Sequence, residues 1–396
     1  MTSAQLKCNW NMVKFGEVVK NANLVEREPE ANGIERIVGL EHIDPENLHI
    51  RRWNSVADGT SFTRKFVPGQ TLFGKRRAYQ RKVAYAEFEG ICSGDILTFE
   101  PKDEKVLLHE LLPFICQSEA FFDHALGTSA GSLSPRTSWK ALKDFEFPLP
   151  PLDEQKRIAE ILWAADEAME SAATSLDQSI FFEKRLLLHL FENSETWPSK
   201  RIGNAGDVQL GRQRSPKYTT GKYTKPYLRV VNVLDGRLDF SDVEEMDFDV
   251  RDFERYRLKN GDILITEGDI TSPYNVGRNA VYRDEIENCC FQNTLIRLRC
   301  FDGLIPEYAS ACLRYMFYKG VFAGVANTTT VTHLGGTRFA SMRIPIPDPE
   351  KQRAIVKQVH SARENMTRAE DHVARSKELL TTLRQTLIFS METANV

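Results

Sequence analysis

Two stretches of this 396-residue chain gather positive charge with no acidic residue among them. From Ser61 to Ala86 run Arg64, Lys65, Lys75, Arg76, Arg77, Arg81 and Lys82, interleaved with Phe66, Phe73, Tyr79 and Tyr85. From Gln209 to Val230 run Arg212, Arg214, Lys217, Lys222, Lys225 and Arg229, interleaved with Tyr218, Tyr223 and Tyr227. Phosphate contact calls for Lys and Arg free of carboxylate neighbours, and base readout calls for hydrogen-bonding side chains beside them. Gln70, Gln80, Gln213, Thr219 and Thr220 supply such groups. Two hydroxyl-rich loops, Gly127-Thr-Ser-Ala-Gly-Ser-Leu-Ser134 and Asn327-Thr-Thr-Thr-Val-Thr332, offer further donors, and suit simple turns equally well. The competing reading of both basic stretches is a solvated charged face. The formal net charge of −3 does not by itself favour nucleic acid, so the local distribution decides.

Other chemistries lack their residues. There is no G-x-x-x-x-G-K-[ST] phosphate loop and no G-x-G-x-x-G after a strand. His109-Glu110 lacks the second His of a zinc protease motif, and the eight His are dispersed without ligand spacing. The Asp/Asn-Pro-Pro-Tyr motif of amino-methyltransferases is missing; Ser272-Pro273-Tyr274 is its nearest fragment. Pro347-Asp348 with Glu350-Lys351 has nuclease-like residue types, but the spacing is too short and the acids sit at a helix start. The sequence therefore predicts no catalytic residue, no metal site and no cofactor. Cys8, Cys92, Cys116, Cys289, Cys290, Cys300 and Cys312 form no C-x-x-C pair and are odd in number, which suits small buried thiols in a reducing compartment.

The elements that must position the basic stretches come in duplicate. Phe147-Pro-Leu-Pro150 followed by Asp153-Glu-Gln-Lys-Arg-Ile158 recurs as Ile344-Pro-Ile-Pro347 followed by Glu350-Lys-Gln-Arg-Ala-Ile355, 197 residues later without a gap. The same offset carries an apolar pattern spaced 4-3-4-3: Ile158, Leu162, Ala165, Met169, Ala172 and Leu176 against Ile355, Val359, Ala362, Met366, Ala369 and Val373. It continues to Ser179, Leu186 and Leu190, with one turn skipped at Glu183, where the second copy has Leu380. Trp10-x-x-x-Lys14-Phe15-Gly16 returns as Trp197-x-x-x-Arg201-Ile202-Gly203, and Gly69-Gln-Thr-Leu72 as Gly261-Asp-Ile-Leu264.

A 4-3 repeat over more than four heptads is a coiled-coil seam. Prolines precede each helix and acids occupy its first turn, where the macrodipole favours them. Each helix of roughly 40 residues spans about 60 Å. Small residues at Ala165, Ala172 and Ser179 permit close approach of an antiparallel partner helix. Packing of each helix on its own module, or pairing between molecules, remains open on this pattern alone. Gly94–Glu100 and Asn293–Arg299 read as strands, and Leu107–Phe122 and Pro306–Phe322 as helices, which makes each module α+β.

The boundaries read as a module at 1–151, a long helix at 152–192, a second module at 193–347 and a second long helix at 348–396. With 41% hydrophobic and 27% charged residues, the composition is that of a soluble globular protein. The absence of an apolar run of membrane length, and of a signal-peptide core within Met1–Trp10, leads to a cytoplasmic expectation.

Two unlike modules, two matching helices and no active site form an unusual set. The chain resembles the specificity subunit of Type I restriction–modification systems. The resemblance covers essentially the whole sequence and rests on Pro148-Leu-Pro-Pro-Leu-Asp-Glu-Gln-Lys-Arg-Ile-Ala-Glu-Ile-Leu162, on Ile344-Pro-Ile-Pro-Asp-Pro-Glu-Lys-Gln-Arg-Ala-Ile355, on the starts at Trp10 and Trp197, and on Gly277-Arg-Asn-Ala-Val-Tyr282 leading into Phe291-Gln-Asn-Thr-Leu-Ile-Arg-Leu-Arg299. Lys351 departs from the pattern, since the family usually has Glu there. The resemblance implies two target-recognition domains, each reading one half of a split, asymmetric site in double-stranded DNA. It implies helices that fix the gap and dock two modification subunits, which bind S-adenosylmethionine and methylate adenine. Restriction subunits with translocase and nuclease activity then join the core. The competing classes are a specificity factor or scaffold of another phage-defence or modification assembly, and a stand-alone methyltransferase or nuclease.

Overall fold

The computed structural model describes residues 10–269, 275–325, 327–328 and 332–389. Cys8, Ser272-Pro273-Tyr274 and the centre of the 327–332 loop lie outside the described residues. The chain divides into two units, Met1–Ala173 with His372–Val396, and Thr174–Asp371. Each unit thus holds one module together with a segment of each long helix.

The duplication seen in the sequence is a duplication of topology. In unit 1 a four-stranded sheet has the order Val19–Asn21, Ile96–Pro101, Thr71–Gly74, Val83–Tyr85. In unit 2 the order is Gly206–Leu210, Leu295–Cys300, Ile263–Thr266, Asn279–Val281. The entry strand Asn11–Lys14 pairs antiparallel with Glu146–Leu149, just before the first long helix; Ser199–Arg201 pairs likewise with Arg343–Pro345. Gly69 and Gly261 precede equivalent strands, and both have φ of 87°, a left-handed turn that a Cβ would strain. A second sheet completes each module. In unit 1 it runs Leu24–Val25, Arg64–Phe66, Gly90–Cys92, Arg36–Val38, Asn54–Ser55; in unit 2 it runs Glu244–Asp247, Thr224–Leu228, Cys290–Phe291.

The module helices depart from the expected single runs. In place of one helix over 107–122 there are two, Leu112–Cys116 and Glu119–Gly127. The break falls at Ser118, whose Oγ accepts from the Phe121 N–H and caps the second helix. In place of one helix over 306–322, Pro306–Tyr318 ends at Gly320, which has φ of 71°, and a short helix Val321–Val325 follows.

The long helices are Leu152–Leu190 and Pro349–Phe389. Each is fastened at its start by one glutamine. Gln155 is 1% exposed; its Nε2 donates to the Val106 and Pro150 carbonyls, and its Oε1 accepts from the Leu108 N–H. Gln352, at 0% exposed, makes the same three bonds to Gly303 O, Pro347 O and Ile305 N. All four positions are related by the 197-residue offset. The invariant spacing from the proline pair to the glutamine therefore has a structural reason. Gln155→Ala is expected to cost about 1–3 kcal/mol by stranding a buried N–H and two carbonyls, and Gln352→Ala the same, read as separate urea transitions. Lys351 has a local account too: its ammonium lies 4.0 Å from the centroid of the Trp197 ring.

In unit 1 the first turns of the first helix and the last turns of the second share the module core, through Ile158, Ala159, Leu162 and Ile388. In unit 2 the roles reverse, with Leu187 and Phe191 joined by Ile355. The helices accordingly run in opposite directions. Ile158, Leu162, Ala165, Ala172, Ile355, Ala362 and Met366 are buried; Met169, Leu176, Val359, Ala369 and Val373 are half-buried. The seam positions nearest each helix start are thus also module core.

Polar contacts add to this apolar seating. His49 sits between two carboxylates, Nδ1 at 2.7 Å from Glu87 and Nε2 at 2.8 Å from Asp166 on the first long helix. Asn47 and Arg51 both reach Glu170 one turn on. Arg51 is also 3.8 Å from Glu87, and Arg384 of the second helix is 3.7 Å from Asp166. The Asp166 hydrogen bond, aided by Glu87 and outweighing burial, raises the His49 pKa. A raised folded pKa stabilises fully below the unfolded value of about 6.5 and loses that contribution as pH rises through the folded value. The stability gap between wild type and His49→Gln is therefore expected to be widest below about pH 6.5 and to close on the alkaline side. Denaturation series at several pH values read this, and a gap that widens with pH contradicts the assignment.

Candidate nucleic-acid interface

The first basic stretch does not form one surface. Neighbours in sequence are acid-free, but neighbours in space are not. Lys65 pairs with Glu89 at 3.1 Å. Arg81 makes a two-pronged contact with Glu119, lies 3.5 Å from Glu46 and stacks over Phe122. Lys82 donates to the Leu40 carbonyl. These three cations hold the module together. Tyr79 is 54% exposed.

Arg64, Lys75, Arg76 and Arg77 converge elsewhere, around Asp95. Arg64 donates to the carbonyls of Gly94 and Ile96, the residues flanking Asp95. Arg76 lies 3.5 Å from the Asp95 carboxylate. Lys75 follows the Thr71–Gly74 strand and its N–H bonds the Asp95 carbonyl at 2.9 Å. Burial and the nearby Arg64 lower the Lys75 pKa. Arg77 adopts a left-handed φ of 54° and donates its N–H to Pro135 O. The hydroxyl-rich loop joins this site: Ser134 Oγ accepts from Arg76 Nη2 at 3.2 Å and Arg77 Nε at 3.3 Å.

A fifth cation, Arg136, completes the cluster and was not singled out in the sequence. It meets Asp95 with two bonds, of 3.0 and 3.4 Å. Its backbone bridges both Ala130 and Arg76. Burial by itself raises the Asp95 carboxyl, but Arg136, Lys75 and Arg76 outweigh it and hold the pKa below its ordinary value. Three cations thus act on one ionised carboxylate, with Arg64 and Arg77 held beside them by the Gly94 and Ile96 carbonyls and by Ser134, an excess of positive charge suited to phosphate. The available signal was position: Arg136 stands two residues after the hydroxyl-rich loop.

The second stretch is organised by Asp247. Its carboxylate accepts from the N–H groups of Thr220, Gly221 and Tyr223 and from the Thr220 hydroxyl. The Thr220 hydroxyl and these amides hold its pKa down to about 2. The loop 219–224 is thereby fixed. Arg212 is 7% exposed, pairs with Asp252 and stacks 3.6 Å over Tyr218. Arg214 pairs with Glu244, and Arg229 with Asp242 and Glu244. Lys217, Lys222 and Lys225 have no carboxylate within ion-pair distance among the described residues; each lies over an aromatic ring, Tyr218, Tyr223 and Phe253. Tyr223 is 41% exposed. The unpaired charge of this second stretch is therefore a lysine set in and beside a pinned loop.

The two cationic sites are not equivalent positions. In unit 2 the place of Arg136 is taken by His333, which pairs with Gly268 and Asn327 as Arg136 pairs with Arg76 and Ala130. There His333 Nδ1 lies 2.8 Å from Glu267. One hairpin scaffold thus carries arginines in one module and a histidine–carboxylate pair in the other.

Among the described residues no group of His, Cys, Asp or Glu is arranged to hold a metal ion, and no helix is long and apolar enough to cross a membrane. Burial pushes the thiols of Cys92 and Cys289 up to about 12 and that of Cys116 well above its ordinary value.

The comparisons with known proteins agree with this architecture. The family described as "Type I restriction modification DNA specificity domain" matches twice, over residues 8–178 and 194–370. The EcoDI specificity subunit of Escherichia coli is 29% identical over 160 residues, 38% of this chain and 33% of that protein. The EcoKI specificity subunit of Escherichia coli strain K12 is 22% identical over 274 residues, 65% of this chain and 59% of that protein. The chain thus spans a third and about three fifths of the length of these relatives. Among solved structures, a chain from a study of complex assembly and conformational transition of the type I R-M system aligns at TM-score 0.57 and 19% identity, over 96% of this chain and 97% of that one. The Type I restriction–modification S subunit from M. genitalium aligns at TM-score 0.56 and 15% identity, over 96% of both chains. These two likenesses concern the fold.

The double match defines the class: two specificity domains in tandem, in an α+β fold with long helices packed together. The chain belongs to the family of Type I restriction–modification specificity subunits.

Proposed function

We propose that this chain reads a bipartite, asymmetric sequence in double-stranded DNA for a Type I restriction–modification complex and performs no chemistry itself. The carrying observation is the pair of cationic sites, one per module and each with cations in excess of the carboxylates that pair them, at different places on a duplicated scaffold. Lys75, Arg76, Arg77 and Arg136 contact phosphate in module 1; Lys217, Lys222 and Lys225 do so in module 2. Because the two modules differ in sequence beside these phosphate contacts, and base edges are read by such side chains, the two half-sites differ in sequence. The antiparallel helices set the unspecified gap and dock two modification subunits, which supply S-adenosylmethionine and adenine methylation. Restriction subunits join that core, and the assembly works in the cytoplasm.

Methylome sequencing of cells with and without this gene, in the presence of its modification subunits, tests the reading. A methylated motif of two unlike halves across a fixed gap is expected, and its loss on deletion. A continuous motif, or methylation unchanged by deletion, would overturn it.

A further inference from the structure

We propose that Leu133 is a wedge that enters the DNA base stack at the half-site read by module 1. The proposal rests on the DNA-reading function above and adds a deformation step to it. Leu133 is 91% exposed, more than any other large apolar side chain among the described residues. Covering such a side chain with an apolar surface is favourable, and the residues around it say which surface that is.

The setting identifies the partner as DNA. Leu133 stands near the tip of the loop between Ala130 and Arg136, which are joined by two backbone bonds of 3.0 Å. At the base of this loop stand Arg76, Arg77 and Arg136, and Ser134, the next residue, is the oxygen on which Arg76 and Arg77 converge. From Ala125 to Lys140 there is no acidic residue, and the residues around the tip are Gly131, Ser132 and Ser134. An apolar surface of a protein partner would gain nothing from this ring of charge, whereas a duplex presents both chemistries together, phosphates at its rim and apolar base faces between. Apolar residues inserted between base steps, flanked by cations on the backbone, are how proteins unstack and kink DNA. The wedge is also pre-set. The Arg77 N–H to Pro135 O bond of 2.7 Å and the Thr137 N–H to Lys75 O bond of 3.0 Å tie the loop to the cationic strand end. A fixed wedge spends little conformational entropy on insertion. Unit 2 differs, since 197 residues on from Leu133 the sequence has Thr330. Deformation is thus assigned to the module 1 half-site.

The test uses the full chain with its modification subunits and the duplex that methylome mapping defines. 2-Aminopurine replaces in turn each adenine of the module 1 half-site except the one that is methylated, which a methyltransferase flips out of the stack by itself, and end-labelled duplex reports bending by energy transfer. Wild type is expected to raise 2-aminopurine fluorescence several-fold at one step and to bend the duplex. Leu133→Ser is expected to abolish both signals and weaken binding on the order of tenfold, with an unchanged salt slope, since no phosphate contact is lost. Leu133→Met is expected to restore them. Because Leu133 is almost wholly exposed, none of these changes touches the core. Tight binding with no unstacking at any step, or unstacking that survives Leu133→Ser, overturns the wedge and leaves the DNA-reading function standing. Failure of wild type to bind the duplex at all overturns that function, and the wedge with it.

Discussion

Replacing Glu183 with Leu is expected to remove about 3–5 kcal/mol from the stability of unit 2. Glu183 occupies the one turn where the apolar spacing of the first long helix is interrupted, and it is 2% exposed. Its carboxylate takes two bonds from Arg314, of 2.7 and 3.0 Å, and lies 3.1 Å from Arg363 of the second long helix. The Asp235 carboxylate accepts from Arg314 and from Tyr318, and the Asp235 backbone carbonyl accepts from Arg363. Two cations balance two anions, and one network joins the module helix, a module loop and both long helices. Removing Glu183 leaves a buried guanidinium short of a counter-ion, which is far costlier than the intact pair is stabilising. The other half of the chain specifies the rescue. At the same repeat positions unit 1 has Leu380 for Glu183 and Gln117 for Arg314. Glu183→Leu combined with Arg314→Gln removes the buried cation together with the buried anion and leaves Arg363 its bonds to the Asp235 carbonyl, so it is expected to recover part of the loss. Urea denaturation of both single variants and the double gives the coupling directly. Strictly additive losses would mean that the two residues do not act as a pair.

That network also shows where sequence reading stops. The 4-3 spacing located both long helices, and the prolines and first-turn acids located their starts, because helix periodicity and capping are local properties. The gap at Glu183 was equally visible, but its cause is an arginine 131 residues away in sequence. Gln155 and Gln352 stood inside the repeated motif with no sign that each would bond a loop nearly 50 residues upstream. The single helix expected over 107–122 failed for a local reason, since Ser118 caps a new helix in mid-run. At the candidate interface the basic stretches were legible and their division was not. Lys65 and Arg81 look like Lys75 and Arg77 until Glu89, Glu46 and Glu119 arrive from other elements. Charge in sequence is a composition, whereas charge at a surface is what remains after the fold has paired it.

This division yields the second large effect. Lys75→Ala with Arg77→Ala is expected to weaken binding of the bipartite duplex by on the order of tenfold to a hundredfold near physiological salt, and to flatten the slope of log K against log salt by roughly 1.8, two phosphate contacts at about 0.9 each. Lys65→Ala with Arg81→Ala removes the same formal charge from the same stretch, but from cations already paired, so its slope is expected to stay near wild type. Arg76, whose charge is shared with Asp95, is expected to fall between. Asp95→Asn moves the other way. It removes the one carboxylate among five cations while keeping an acceptor for Arg136, so binding should tighten several-fold and the salt slope steepen. Titrations of the four variants at several salt concentrations separate pairing from composition. Equal slopes for the Lys75/Arg77 and Lys65/Arg81 pairs would mean that the Asp95 cluster is not where module 1 meets phosphate. A loss confined to the first pair would place the DNA backbone at the mouth of that cluster, within reach of the loop that carries Leu133.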